Sequence, residues 1–371
     1  MVRGHALTER TGGKIAFLHP GRLDTPTGGY AYDRDLIAAL ERAGMEVEVH
    51  GLGDGYPFPD EATLAQAASV LSALPDGALT LVDGLAFGVL DGVVAPHARR
   101  LRLVALVHHP LAHESGLEPG EALLLEEAER RALALARHVV VTSNHTARAL
   151  HEDFGVSEDR ISVVEPALAL ALPPLRETEV PPAHGPRRLL CVGSLIARKD
   201  HGTLLSALAR LADRSFHLDL VGSLELAPVH ADQIADTIAR LGLSDRVTLH
   251  GALPRDALET LYANADLFVL TTLYEGYGMV FAEAMAHGLP IVATGEGAVR
   301  DTIPEAAGIV CENGAVTDVA TAIAGLLDDP QRRLDMGAAA RTHAETLPDW
   351  DTQAARLLSV LGRILGPEEA K

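Results

Sequence analysis

The chain has 371 residues, 47% of them hydrophobic and 22% charged. At ~150 residues per domain that length suggests two domains, and the composition excludes a disordered or fibrous chain. Lys and Arg number 31 against 51 Asp and Glu, a formal net charge of −20; such a field opposes polyphosphate backbones, argues against nucleic acid as a partner and weakens adhesion to anionic lipid. In chain order, apolar β-type runs stand at 14–19, 46–50, 79–83, 102–107, 138–142, 189–193, 217–221, 247–249, 267–270, 290–293 and 308–310. Helix-length segments at 30–43, 120–136, 203–211, 231–241 and 281–287 lie between many of them. This alternation predicts an α/β fold of parallel sheets covered by helices on both faces. The run 189–192 shows no polar alternation, as expected of a strand buried on both faces.

The pattern breaks once, between Glu165 and Arg188. Pro166, Pro173, Pro174, Pro181, Pro182 and Pro186 crowd this stretch and stop both helix and central strand. It reads as a semi-rigid linker over 166–186, dividing a domain at 1–165 from one at 187–349. A last amphipathic helix, 350–365, is free to pack back on the first domain. Ligands of open parallel sheets bind at the carboxyl ends of the strands, so the chemistry is expected in the loops that follow strands.

Cys191 and Cys311 are the only cysteines, which excludes a disulfide scaffold and a cysteine zinc site. Residues 1–14 lack the apolar core of a signal peptide, and no apolar run reaches the ~18 residues of a membrane span. The expectation is a cytoplasmic protein with no transmembrane segment, peripheral membrane association being left open.

The most informative segment is LFVLTTLYEGYGMVFAEAMAHGLP, residues 267–290. A buried strand at 267–270 runs into a turn with Gly276 and Gly278, and a helix begins near Met279. Glu275 is placed in the loop and Glu283 on the helix. Backbone N–H groups of Gly278, Met279 and Val280 would point out of the helix start as an anion site for a phosphate or diphosphate. Glycine at 278 would admit a ligand close to the backbone. The two carboxylates would flank that site and accept hydrogen bonds from sugar hydroxyls.

Glu275-x7-Glu283, within EGYGMVFAEAMAHGLP, resembles the E-x7-E signature of retaining glycosyltransferases of family 4. Further stretches resemble that family in its order: PTGGY (26–30), VALVHHP (104–110), VVVTSNHT (139–146), CVGSLIARKD (191–200) and VTLHGALPRDALETLYANADLFVLTT (247–272). The resemblance implies the GT-B fold, two Rossmann-like doubly wound parallel-sheet domains facing across a cleft. The N-terminal domain would bind the acceptor and the C-terminal domain the nucleotide sugar. It implies that Glu283 grips the ribose hydroxyls and that Glu275 contacts the donor sugar. Lys199, with Arg198 beside it, would neutralise the diphosphate. The amides of Gly278, Met279 and Val280 would hold the distal phosphate, with Gly276 and Tyr277 in the same turn. Gly28 and Gly29 would face the diphosphate and sugar, His108 would sit beside the sugar, and Leu253 would lie near the base. Ser194 stands where many relatives have Arg, so the diphosphate loses one cation, which Arg198 replaces.

Several residues have a plainer reading. Glu283 alone would be a solvated helix residue and Lys199 a helix-start lysine. Gly28–Gly29 could be a strand-to-helix turn, and Thr142 and Ser143 helix caps. His109 is the reserve for His108. His109 and His113 have metal-ligand spacing if helical, but Pro110 lies between them. Asp33-x-Asp35 and Asp349-x-Asp351, in helix-like segments, are read as solvated faces. No metal or other cofactor is therefore expected. Tyr56 and Phe58 would stack on an acceptor or pack locally.

The resulting expectation is a metal-independent retaining transfer from a nucleotide diphosphate sugar, UDP before GDP, to an acceptor hydroxyl. The acceptor is undetermined among small molecule, glycan and lipid, as is the oligomeric state. The rivals are a GT-B sugar-nucleotide epimerase and a non-catalytic nucleotide-sugar-binding protein. A nicotinamide dehydrogenase lacks its G-x-G-x-x-G.

Overall fold

The computed structural model describes residues 13–114, 116–168, 172 and 185–364. The chain divides into two compact units: Met1–Ala169 with Pro348–Lys371, and Leu170–Leu347. Most of the Pro-rich 166–186 stretch, nearly all of the 1–14 segment, and Leu365 lie outside the described residues.

The first unit holds strands β1 (Lys14–His19), β2 (Glu46–Gly51), β3 (Leu79–Asp83), β4 (Arg102–Val107), β5 (His138–Val141) and β6 (Ile161–Val163). Its helices of eight residues or more are α1 (Gly28–Arg42), α2 (Glu61–Ala73), α3 (Pro119–Leu135), α4 (Asn144–Glu152) and, from the end of the chain, α11 (Trp350–Ile364). All strand pairs are parallel, in the order β2-β1-β3-β4-β5-β6. The order reverses between β1 and β3, which opens a crevice at their carboxyl ends.

The second unit holds β7 (Arg187–Val192), β8 (Phe216–Val221), β9 (Val247–Leu249), β10 (Leu267–Glu275), β11 (Ile291–Gly297) and β12 (Gly308–Cys311). Between and after them come α5 (His201–Ala209), α6 (Pro228–Arg240), α7 (Arg255–Asn264), α8 (Met279–Ala286), α9 (Val316–Asp328) and α10 (Pro330–Ala344). The parallel order is β12-β11-β10-β7-β8-β9. Its reversal lies between β7 and β10, the strands that precede Lys199 and end in Glu275.

Central strands are apolar because both faces are covered. Val104, Ala105 and Leu106 of β4, and Leu267, Phe268 and Leu270 of β10, are fully buried. Such burial contributes about 1.5–3 kcal/mol for each large side chain. Cys191 is buried in β7, and burial pushes its thiol up to about 12, so it is inert. α11 returns to the first unit, where Trp350 meets Tyr32 of α1 edge to face, ring centres 5.2 Å apart. No helix among the described residues is long and apolar enough to cross a membrane.

Candidate active site

In the second unit the site grows from the ends of β7 and β10. After β7 the chain makes a turn at Ala197–Lys199 and reaches Asp200, whose φ of +40° is left-handed. Two hydroxyls of β10 strap this turn down: Thr271 donates to the Asp200 carbonyl (2.8 Å) and Thr272 to that of Arg198 (3.2 Å). The stem of Lys199 lies over Gly193, where a Cβ would stand 3.4 Å from its Cδ.

β10 runs through to Glu275, with a register shift between Thr271 and Tyr274. This corrects the expected strand end at 270. Glu275 is not in a loop but closes the strand, because Thr271 and Thr272 are buried with their hydroxyls satisfied and the ladder continues past them. Its Oε1 lies 2.5 Å from Lys199 Nζ and its Oε2 3.4 Å from Arg198 Nη1. Arg198 also donates to the Tyr274 carbonyl at 2.8 Å. Burial opposes both charges of the pair. Two cations share one carboxylate, so Glu275 is held below the usual range while burial pulls Lys199 down.

Beyond Glu275 the turn is fixed from behind. Ala298 N–H donates to the Glu275 carbonyl and the Thr302 hydroxyl to the Tyr277 carbonyl, both at 2.8 Å. Gly278 then opens α8 at φ +88°, and no side chain caps the helix. A Cβ on Gly278 would meet Phe281 Cδ2 at 2.5 Å, so glycine is required here by the helix's own first turn. The amides of Met279 and Val280 have no acceptor within the helix, so this end carries the partial positive charge of a helix start. Glu283, on the same helix, accepts from the Tyr262 hydroxyl at Oε2 (3.0 Å). Gly276 is buried, Tyr277 and Ser194 are half-buried, and Leu253 is half-buried between β9 and α7.

In the first unit, Thr27 caps α1, accepting the Tyr30 N–H at 3.4 Å, so Gly28 and Gly29 form its first turn. A Cβ on Gly28 would touch nothing within 4 Å, whereas one on Gly29 would lie 3.3 Å from His108 Cδ2. His108 directly follows β4. Its carbonyl accepts from Thr142 (3.0 Å) and Thr146 (3.4 Å), and Ser143 caps α4.

His108 Nε2 faces two carboxylates, Asp33 Oδ1 at 3.2 Å and Asp83 Oδ2 at 3.6 Å. This corrects the reading of Asp33 as a solvated face, since it is fully buried. Asp33 stands four residues after Gly29, on the stripe of α1 that buries Tyr32, Leu36 and Leu40. Burial and the neighbouring Asp83 raise the Asp33 carboxyl. Burial works against Asp83 too, but His108, Asp33 and the Leu85 N–H (2.7 Å) hold it low. Burial opposes a charged imidazole, yet Asp33 and Asp83 push His108 up to about 10. Among the described residues, these three form the one group of His, Cys, Asp or Glu whose ligand atoms converge, within 4.8 Å. The close approach of imidazole to carboxylate fits an ion pair.

The other candidates are engaged locally. His109 Nε2 lies 3.2 Å from Glu114, and the turn at Leu111–His113 is a 3-10 helix. Tyr56 donates to the Leu52 carbonyl at 3.3 Å and packs on the core of the first unit. Asp349 accepts the Thr352 N–H and Asp351 pairs with Arg42. Asp83 and Tyr262 were not singled out from the sequence, and Asp33 was named only as part of a solvated face. The i, i+4 spacing of Gly29 and Asp33 could have placed Asp33 on the buried face of α1.

Two units, each built on a six-stranded parallel sheet, are the architecture of a glycosyltransferase of the GT-B fold. The family profile described as "Glycosyltransferase Family 4" matches residues 28–171, and that described as "Glycosyl transferases group 1" matches 177–343. The chain belongs to glycosyltransferase family 4. It is 29% identical over 321 residues to the MMP alpha-(1->4)-mannosyltransferase of Mycolicibacterium hassiacum, covering 82% of this chain and 75% of that one. It is 30% identical over 297 residues to the D-inositol 3-phosphate glycosyltransferase of Thermomonospora curvata, covering 73% and 69%. The structure of sucrose-phosphate synthase from Thermosynechococcus elongatus superposes with a TM-score of 0.80 at 22% identity, over 95% of this chain and 98% of that one; at that identity it shows the fold.

Proposed function

We propose that this glycosyltransferase moves a sugar from a nucleoside diphosphate sugar to an acceptor hydroxyl with retention, without a metal ion. The observation that carries the reading is the Lys199–Glu275 pair beside the uncapped start of α8. In this reading Lys199, Arg198 and the amides of Met279 and Val280 take the diphosphate. They meet the charge that grows as the C1–O bond to phosphate breaks, and so stabilise the transition state more than the ground state. Glu275 orients the donor sugar and Glu283 the ribose. The acceptor oxygen bonds to C1 on the face the phosphate leaves, and the departing phosphate oxygen takes the acceptor's proton. No protein nucleophile is assigned, and a trapped covalent glycosyl-enzyme overturns this step.

Uridine is placed before guanosine as the donor base. The acceptor is taken to be a small polar molecule: the chain's acidity disfavours an anionic bilayer, and one relative is named for inositol 3-phosphate. The test is a calorimetric titration with UDP, GDP, ADP, CDP and dTDP in EDTA. Selective micromolar binding of one nucleotide, lost in Glu283→Ala, supports the site. A folded protein that binds none of the five refutes it.

A further inference from the structure

Glu283 sits on α8 with three rotatable side-chain bonds, and a free glutamate would spread over several rotamers. Here its carboxylate is tied. The Tyr262 hydroxyl reaches Oε2 at 3.0 Å from α7, 21 positions earlier in the chain. Tyr262 is 2% exposed. Burial, with Glu283 beside it, raises the phenol well above its ordinary value, so the hydroxyl keeps its proton and donates. The ring is also fixed. It stacks on His287, centres 5.1 Å apart and planes 14° apart, and on Phe268 at 6.0 Å and 18°. His287 in turn meets Glu259 Oε2 at 2.9 Å, and Arg255 donates to the other Glu259 oxygen at 3.1 Å. Packing alone would be met by phenylalanine. A buried tyrosine needs a partner for its hydroxyl, and this one has a half-exposed carboxylate instead of a backbone carbonyl.

We infer that Tyr262 is a positioning residue that sets the preference for ribose: its hydroxyl fixes the plane and direction of the Glu283 carboxylate, so that the carboxylate meets a vicinal ribose diol in one orientation. This rests on the assignment of Glu283 to the ribose made above. A diol offers two donors at a fixed spacing, so a carboxylate held in one plane accepts both without first losing rotamer freedom. The Arg255–Glu259–His287 chain is the support behind the ring.

The test compares UDP and GDP with their 2′,3′-dideoxy forms by calorimetry, in the wild type, Tyr262→Phe and Glu283→Gln. Phenylalanine keeps the stack, and a thermal midpoint near that of the wild type checks the fold. The expected result in Tyr262→Phe is about tenfold weaker binding of the ribonucleotide, with the dideoxy form unchanged. KM for the sugar nucleotide rises and kcat stays close to the wild-type value. Glu283→Gln loses the preference for ribose. Equal weakening of both nucleotide forms in Tyr262→Phe makes the residue a scaffold only and overturns the inference. A preference kept in Tyr262→Phe but lost in Glu283→Gln overturns it too, while leaving Glu283 on the ribose. A wild type without any preference removes both.

Discussion

Lys199 Nζ stands 2.5 Å from Glu275 Oε1, with the two side chains 12% and 8% exposed, so the cation proposed above for a diphosphate is already paired inside the protein. Glu275 holds the ammonium in place and offsets its burial. Arg198 shares the same carboxylate from its other oxygen. Lys199→Ala should lower turnover by about 100-fold or more, the usual effect of removing one charge-stabilising donor. It should also destabilise the fold by less than the ~3–5 kcal/mol of a stranded buried charge, because Arg198 remains beside Glu275. Steady-state kinetics and urea unfolding read the two effects separately. A fully active variant would exclude the role.

His108 makes stability depend on pH. Its folded value, pushed up by Asp33 and Asp83 against burial to about 10, lies above the ~6.5 of an unfolded histidine. The ring therefore contributes stability that is complete below pH ~6.5 and is lost as pH rises through about 10. Asp33 is raised as well, but its contribution is lost in a more acidic window that starts near the ~3.9 of a free Asp. The expected outcome is a decline in unfolding free energy between pH 7 and pH 10 that is shallower in His108→Gln. Urea unfolding at several pH values checks it, and parallel curves would refute it.

Gly278 is held in a left-handed conformation beneath the ring of Phe281. Gly278→Ala carries the ~1–2 kcal/mol cost of that conformation for a residue with a Cβ, plus the displacement of the ring. The start of α8 should be disturbed, so nucleoside diphosphate affinity and the unfolding midpoint should fall together. Unchanged affinity in this variant would mean that the helix start is not where the diphosphate binds.

Gly28 and Gly29 are neighbours in one helical turn with different surroundings. Gly28→Ala meets no atom and should stabilise the fold by up to ~1 kcal/mol through helix propensity, while its methyl group obstructs a ligand approaching that turn. Gly29→Ala presses on the His108 ring and should reduce turnover with little change in stability. Thermal melts beside donor KM and kcat separate the two. Identical behaviour would show that neither glycine is there for a ligand.

Much of this structure was legible in the sequence. The strands at 14–19, 79–83 and 102–107 appear at those limits because apolar runs buried on both faces leave little ambiguity. β6 was missed: Ile161–Val163 is three residues long and only half-buried. α2 was missed because it buries only Ala67 and Leu71, too narrow a stripe to show as a period. β10 outran its apolar stretch because threonine hydroxyls satisfied by neighbouring carbonyls are buried as readily as leucines. Glu275, Glu283 and Lys199 could be named from local motifs. Their partnerships could not: Lys199 and Glu275 are 76 positions apart and Tyr32 and Val164 132 apart, and such contacts are written in the fold.

The first unit is assembled from both ends of the chain, with Leu170–Leu347 between its two pieces. Trp350 meets one edge of the Tyr32 cluster and His108 another, at 5.2 and 5.3 Å, while the Tyr32 hydroxyl anchors to the Val164 carbonyl at 2.8 Å. During synthesis, then, the cover that Trp350 gives Tyr32, the ring beside His108, waits for the whole of the second unit to be made. A chain that stops short of Trp350 holds every residue of Leu170–Leu347 but leaves one edge of Tyr32 without its partner ring, so the ring beside His108 gains its finished surroundings only once Trp350 has been made.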